Sequence, residues 1–313
     1  MATDTVAGAP AVAAARPDAT RGGAVHATER VAASTAETSP TGPPARAGRG
    51  RRLLAAAWPK LLAVTTLVTV WQVVVWTGWR PTYVLPAPAT VAVDLATQIT
   101  RPDFWLALGV TLQRGVLGFA VAVAIGSTIG VLVAWSSVLR AAIGSLLTGL
   151  QTLPSIVWFP LAILMFQLSE QAIFFVVVLG AAPSVANGLL AGIDQVPPSY
   201  RRLGHVLGAR GFTLQRLVVL PAALPSYVTG LNQGWAFAWR SLMAGELLVV
   251  IEGRPSLGGR LAFAQEFGNA PRLISYMVVI LVVGMAADAV FGAASRRLRA
   301  RRGLLPDGDH GAA

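Results

Sequence analysis

The chain has 313 residues, of which 54% are hydrophobic and only 12% charged, about half the charged share of an ordinary soluble domain. Mean hydropathy is +0.61. So few charges cannot cover a water-facing surface, which excludes a soluble domain, and the apolar content excludes a wholly disordered chain, a collagen-like repeat and a disulfide scaffold. A polytopic helical membrane protein remains.

There is no cysteine, so disulfides, thiolate metal sites and cysteine nucleophiles are out. Net charge is +11, and Lys60 is the sole lysine among 25 basic residues. In a soluble chain this charge would point to nucleic acid. In a membrane chain its placement matters first, and no nucleic-acid partner is expected.

Residues 1–52 are rich in Ala, Thr, Ser, Pro and Gly and read as a disordered cytoplasmic tail without a signal peptide. The tail ends in the basic cluster Arg46, Arg49, Arg51 and Arg52. Residues 53–302 hold six apolar spans, at about 54–76, 109–134, 141–166, 170–193, 224–250 and 272–294, each near the roughly 20 residues that cross about 30 Å of hydrocarbon. Phe104 and Trp105 precede the second span as an expected interfacial turn. Pro154 and Pro160 interrupt the third, and Pro183 lies inside the fourth. Residues 303–313 form a second disordered tail.

With the amino terminus in the cytoplasm, inside segments hold 18 basic residues and outside segments 5. This bias places both termini in the cytoplasm. Trp58, Trp76, Trp79, Trp105 and Trp135 fall near span ends, where an amphipathic ring is stable. The pairs Gly126/Gly130, Gly188/Gly192 and Gly230/Gly234 permit close helix approach.

The loop at 194–223, between spans four and five, is the most informative stretch. Pro197 and Pro198 suit a helix start and Gly208 a helix stop. Between them Tyr200, Leu203 and Leu207 form one apolar stripe, while Arg201, Arg202 and His205 lie elsewhere on the surface. A second short helix is expected at about 213–220, ending before Pro221. A short amphipathic helix on such a loop has two uses: it lies on lipid, or it docks in a partner's groove.

Gly208, followed after nine residues by Val218-Val-Leu220-Pro221, resembles the cytoplasmic EAA loop of permease subunits of bacterial ABC importers. The likeness runs through Thr111-Leu-Gln-Arg114, Gln151-Thr-Leu-Pro154, Trp239-Arg240 and Glu246 to the basic tail, over roughly residues 80–302. It is similar to the branch serving aliphatic sulfonates, taurine and nitrate. Arg202 stands where the loop of that family has Glu, and Gly204 where it has Ala.

The resemblance implies an all-α, type I importer permease with six transmembrane helices in a bacterial cell membrane. It implies that Tyr200, Arg201, Arg202, Leu203, Gly204, Leu207, Gly208, Leu220 and Pro221 belong to an ATPase-coupling loop. Expected partners are cytoplasmic ABC ATPase subunits, an extracytoplasmic solute-binding protein at about residues 77–104 and 251–271, and a second copy of the chain as a homodimer. No cofactor, metal or catalytic residue is expected. Independently of the family, no P-loop is present, because it needs Gly-Lys-Ser/Thr and Lys60 follows Pro59.

Arg114, Arg240, Glu246 and Asp288 fall in or near apolar spans, where a charge costs roughly 2.5–3.5 kcal/mol at a helix centre. Arg114 and Glu246 share a depth and are candidates to pair; reversing both charges together is expected to restore what either single reversal loses. Arg240 is the deepest, either a packing arginine or a cationic lining for an anionic solute. Arg240, Glu246 and Arg114 are the candidate pathway residues. The rival readings are a gradient-driven secondary carrier, which would need deep proton- or sodium-binding carboxylates, and a non-transporting scaffold.

Overall fold

The computed structural model describes residues 49–301. The expected tail at 303–313 and residues 1–48 of the expected amino-terminal tail lie outside the described residues. Residues 49–52, expected in that tail, are instead the first turn of a helix. All regular structure among the described residues is helical, with no strand.

In chain order the elements are α1 (Arg49–Trp76), α2 (Pro88–Ile99), α3 (Pro102–Trp135), α4 (Ser137–Thr152), a 3-10 turn (Ser155–Trp158) and α5 (Phe159–Phe166). They continue with α6 (Glu170–Asp194), α7 (Pro198–Val206), α8 (Gly211–Leu214), a π turn (Gln215–Val219), α9 (Leu220–Leu248), α10 (Leu257–Glu266) and α11 (Ala270–Arg301). Contacts divide the chain into residues 1–62, of which the start of α1 is described, and residues 63–313, which hold every later element.

Four described helices are long and apolar enough to cross a bilayer: Trp58–Trp76, Pro102–Trp135, Glu170–Asp194 and Ala270–Arg297. A fifth crossing is counted if Val138–Thr152 and Ser155–Phe166 are one span, bent by 103° between them. Pro154 sits at that bend; it has no N–H to give the preceding turn, and its ring blocks the residue before it from helix. The expected fifth span, α9, is long enough at 29 residues, but Ser226, Thr229, Asn232, Gln233 and Arg240 dilute its apolar character.

Two local expectations are corrected. Phe104 and Trp105 are not an interfacial turn; α3 begins at Pro102, which is pre-set for the first helical turn, and runs on for 34 residues. Pro221 does not stop the second loop helix. The π turn at Gln215–Val219 widens the ladder, with Leu220 N–H donating to the Gln215 carbonyl, and the helix passes through Pro221 into α9.

The core is the packing of α6 against α3 on one side and α9 on the other. Contacts of Gly118 with Val177 and of Gly130 with Leu189 set α3 parallel to α6. Contacts of Gly192 with Ala223, and of Gly180 with Ser241, set α9 antiparallel. At the crossing of α6 and α9 the backbones touch: a Cβ on Gly230 would lie 2.6 Å from the Gly188 Cα. Only glycine permits this approach, which gives two apolar helices close dispersion contact where water offers no driving force. Phe119, Trp235, Trp239 and Phe291 fill the space beside it, with ring centroids 5.2–6.2 Å apart. A second cluster, Phe104, Ala107, Leu257, Tyr276 and Val279, ties α3 to α10 and α11, and the Ser275 hydroxyl anchors α11 to α2 through the Val91 carbonyl at 3.1 Å. These contacts put α7 and α10 at the two ends of the bundle.

Candidate functional site

At the α7 end, Pro197 and Pro198 open the loop helix, as the spacing predicts. It closes in a Schellman arrangement: Gly208 N–H donates to the His205 carbonyl at 3.0 Å and Ala209 N–H to the Gly204 carbonyl at 2.9 Å. Gly208 carries the φ of +83° that this needs, where a Cβ is unfavourable. One face of α7 packs inward through Gly204, which is buried against Leu214 and Val218. Arg201 reaches across to the Ile193 carbonyl at 3.2 Å, satisfying an orphan group at the end of α6.

The other face of α7 is unpaired. Tyr200, Leu203 and Leu207 are 52%, 58% and 77% exposed, and Arg202 is exposed beside them. Leu220 is half-buried with the cluster of Leu189, Ile193, Val196 and Val219, and Pro221 follows it into α9. The helix is therefore held by its inner side while it offers an apolar outer stripe.

Arg240 lies in the last third of α9, beside Ser241, which meets Gly180 of α6. It is exposed, its Nε donates to the Ala236 carbonyl at 2.9 Å, and its guanidinium stacks 4.7 Å from the Phe237 ring centroid. It opens into a cavity of about 280 Å³ lined also by Gln151, Thr152, Pro154, Trp158 and Gly180. The bend at Pro154 creates this cavity, because α4 and the turn after it diverge there. Two segments singled out in the sequence, Gln151–Pro154 and Trp239-Arg240, meet in one site.

Arg114 and Glu246 are a buried pair at 3.1 Å, with 2% and 0% of their side chains exposed. They do not pair alone. Glu170 at the start of α6 accepts two hydrogen bonds from Arg114, at 2.7 Å and 2.9 Å. The other Glu246 oxygen accepts from Thr111 at 2.9 Å and from the Gly258 N–H at 3.1 Å. Thr111 in turn accepts from the Leu257 N–H at 2.9 Å. Arg254 adds a further contact to Glu170 at 3.3 Å. The network joins α3, α6, α9 and α10, and every buried charge has partners, as burial demands.

Sequence reasoning missed Glu170 and Gly258, and noted Thr111 only as part of a family motif, with no role. Glu170 sits at a helix start, where an acid is ordinary for the helix dipole, and Thr111 and Gly258 carry no charge to flag them. Among the described residues no three His, Asp or Glu side chains converge to hold a metal ion.

Comparison with known proteins adds to this geometry. An aliphatic sulfonates transport permease protein of Bacillus subtilis, SsuC, named as putative, is 27% identical over 242 residues, covering 77% of this chain and 87% of that one. The nitrate import permease NrtB of Synechocystis is 26% identical over 236 residues, covering 72% of this chain and 84% of that one. Among solved structures, the inward-facing MetNI methionine ABC transporter matches with a TM-score of 0.54 at 19% identity, over 63% of this chain and 98% of that one, which is a likeness of fold. Residues 102–300 match the family described as binding-protein-dependent transport system inner membrane component. That match covers most of the chain, which belongs to this family of transporter permease subunits.

Proposed function

We propose that this permease subunit carries a small oxyanion, of the aliphatic sulfonate, taurine or nitrate kind, past Arg240. The observation that supports the solute class is the placement of that one guanidinium, exposed in a cavity at a helix break. A cation at membrane depth is costly and is kept where it meets an anion or a polar path. Guanidinium presents paired donors that match the oxygens of sulfonate, carboxylate or nitrate. The names of the sulfonate and nitrate relatives point the same way.

In this reading two copies of the chain build the pathway in a bacterial cell membrane. Each supplies six spans, counting α9 and the bent α4–α5 segment, with both termini in the cytoplasm. The separate ATPase docks on the exposed stripe of α7, through Tyr200, Leu203 and Leu207, as a helix lies in a groove. Arg202 meets an acidic residue there. Arg201 and Gly204 fix α7 to the bundle, so a push on α7 reaches α6 through Ile193 and α9 through Leu220 and Pro221. The α10 end, including residues 77–104 and 251–271, faces the solute-binding protein. Arg114 and Glu246, being buried, shape the pathway by holding α9 and α10 in place. ATP binding and hydrolysis then drive alternation between two states of the bundle.

The test is uptake of labelled taurine and nitrate into vesicles holding the chain with its ATPase and binding protein, with ATP on the face carrying α7. Arg240→Gln is expected to slow uptake by roughly 10-fold or more, the worth of one charge-assisted hydrogen bond, while the ATPase still co-purifies. Transport of a cationic or neutral solute that is indifferent to Arg240→Gln overturns the proposed solute class.

A further inference from the structure

A larger cavity, of about 560 Å³, lies at the α10 end and shares no lining residue with the Arg240 cavity. Its wall carries four arginines, Arg101, Arg254, Arg260 and Arg272, against one carboxylate, Glu252. They arrive from four places in the chain: Arg101 caps the start of α3, Arg254 is in the loop after α9, Arg260 is on α10 and Arg272 on α11. The fold thus converges positive charge that the sequence scatters over more than 170 residues.

The carboxylates nearest these arginines stand outside the wall and satisfy them only in part. Asp103 is 3.8 Å from Arg260 and Asp94 is 3.7 Å from Arg272, both beyond hydrogen-bond length. Glu170 meets Arg254 at 3.3 Å but already serves Arg114. The buried Nε of Arg260 has no acceptor, and Arg101 has no ion pair among the described residues. Like charges around one cavity repel, and a bound anion relieves that repulsion in a setting less screened than bulk water. The wall also carries an apolar part, Val250, Ile251, Phe263 and Phe267, beside the polar Ser256 and Asn269. Gln98 and Tyr276 lie at its buried side, where the Gln98 amide oxygen accepts from Arg272 Nε at 3.0 Å and Nη2 at 3.2 Å, so the donors left over belong to Arg101 and Arg260.

We infer that this cavity is a second oxyanion site, which takes a small organic anion by its sulfonate or carboxylate head. The arginines hold the head, and the short apolar body rests against Phe263 and Phe267. The site deepens the anionic-solute reading, on which it rests: it lies at the end of the bundle assigned to delivery, ahead of Arg240, and holds the solute before the bundle opens.

The experiment measures binding, so that its failure is separate from failure of transport. The full chain in lipid nanodiscs is titrated calorimetrically with butanesulfonate, and with butylammonium as the same body carrying the opposite charge. Butanesulfonate is expected to bind, and butylammonium not. Arg101→Gln/Arg272→Gln is expected to weaken butanesulfonate binding at least tenfold. Arg101→Gln alone breaks no ion pair within the described residues, so it keeps the test valid if the double variant folds poorly, and it is expected to weaken binding severalfold. Equal binding of both probes overturns the site. So does unchanged butanesulfonate affinity in the Arg101 variants, including a case in which they lose only docking of the solute-binding protein. A chain that transports a cation yet binds butanesulfonate in an Arg101-dependent way overturns the proposed solute and leaves this site standing.

Discussion

The guanidinium of Arg114 on α3 meets the carboxylate of Glu246 on α9 at 3.1 Å, and each is satisfied by further partners that the other does not touch. This relationship sets the first prediction. Removing one member of a buried ion pair leaves an uncompensated charge, which costs roughly 3–5 kcal/mol. Arg114→Ala and Glu246→Ala are each expected to lower the thermal midpoint of the detergent-purified protein markedly, read from tryptophan fluorescence. An unchanged midpoint in either contradicts the network.

The shared depth of the two residues alone implies rescue when both charges are reversed; the further partners correct this, and no rescue is expected. An arginine at 246 would face the Gly258 N–H, and a glutamate at 114 would face Glu170. Recovery of stability in Arg114→Glu/Glu246→Arg would show that Glu170 and Gly258 are incidental.

Gly188 and Gly230 bring the α6 and α9 backbones into contact. Gly188→Ala forces that pair apart and is expected to cost about 1–3 kcal/mol, as overpacking does. Gly144→Ala, where an added Cβ meets nothing within 4 Å, serves as the control and is expected to leave the midpoint unchanged. Equal midpoints for both variants would contradict the close crossing.

Gly208 holds a φ of +83° at the end of α7. An L-residue there costs roughly 1–2 kcal/mol, so Gly208→Ala is expected to loosen the loop. Limited proteolysis at 207–211 should quicken, while the thermal midpoint of the bundle changes little. A cleavage rate equal to that of the parent chain contradicts the strained cap.

Much of this architecture is legible in the sequence, for physical reasons that differ by element. α6 agrees with expectation to within one residue, because a continuous apolar run bounded by Glu170 and Asp194 has one stable solution in a bilayer. The start and stop of α7 were equally plain, since Pro198 and Gly208 act through local backbone geometry. Where an outcome depends on distant chain, the sequence is silent. Pro221 reads locally as a stop, yet the π turn before it lets the helix continue. Pro154 reads as a kink, but nothing local foretells a bend of 103° that opens a cavity at Arg240. Arg114 and Glu246 were matched by depth alone. Glu170 escaped notice because a carboxylate at a helix start already has an explanation, and the gathering of Arg101, Arg254, Arg260 and Arg272 depends on four elements packing at one end.

The central claim is that the bundle is moved from outside itself, through the exposed stripe of α7. Co-purification of the chain with an ATP-hydrolysing subunit tests it most directly, comparing the wild type with Leu203→Asp/Leu207→Asp. Both side chains point to solvent, so the variant is expected to keep the thermal midpoint of the wild type, lose the ATPase and lose ATP-driven uptake. A variant that retains the ATPase, or a purified chain that accumulates solute with no nucleotide-hydrolysing companion, contradicts the account.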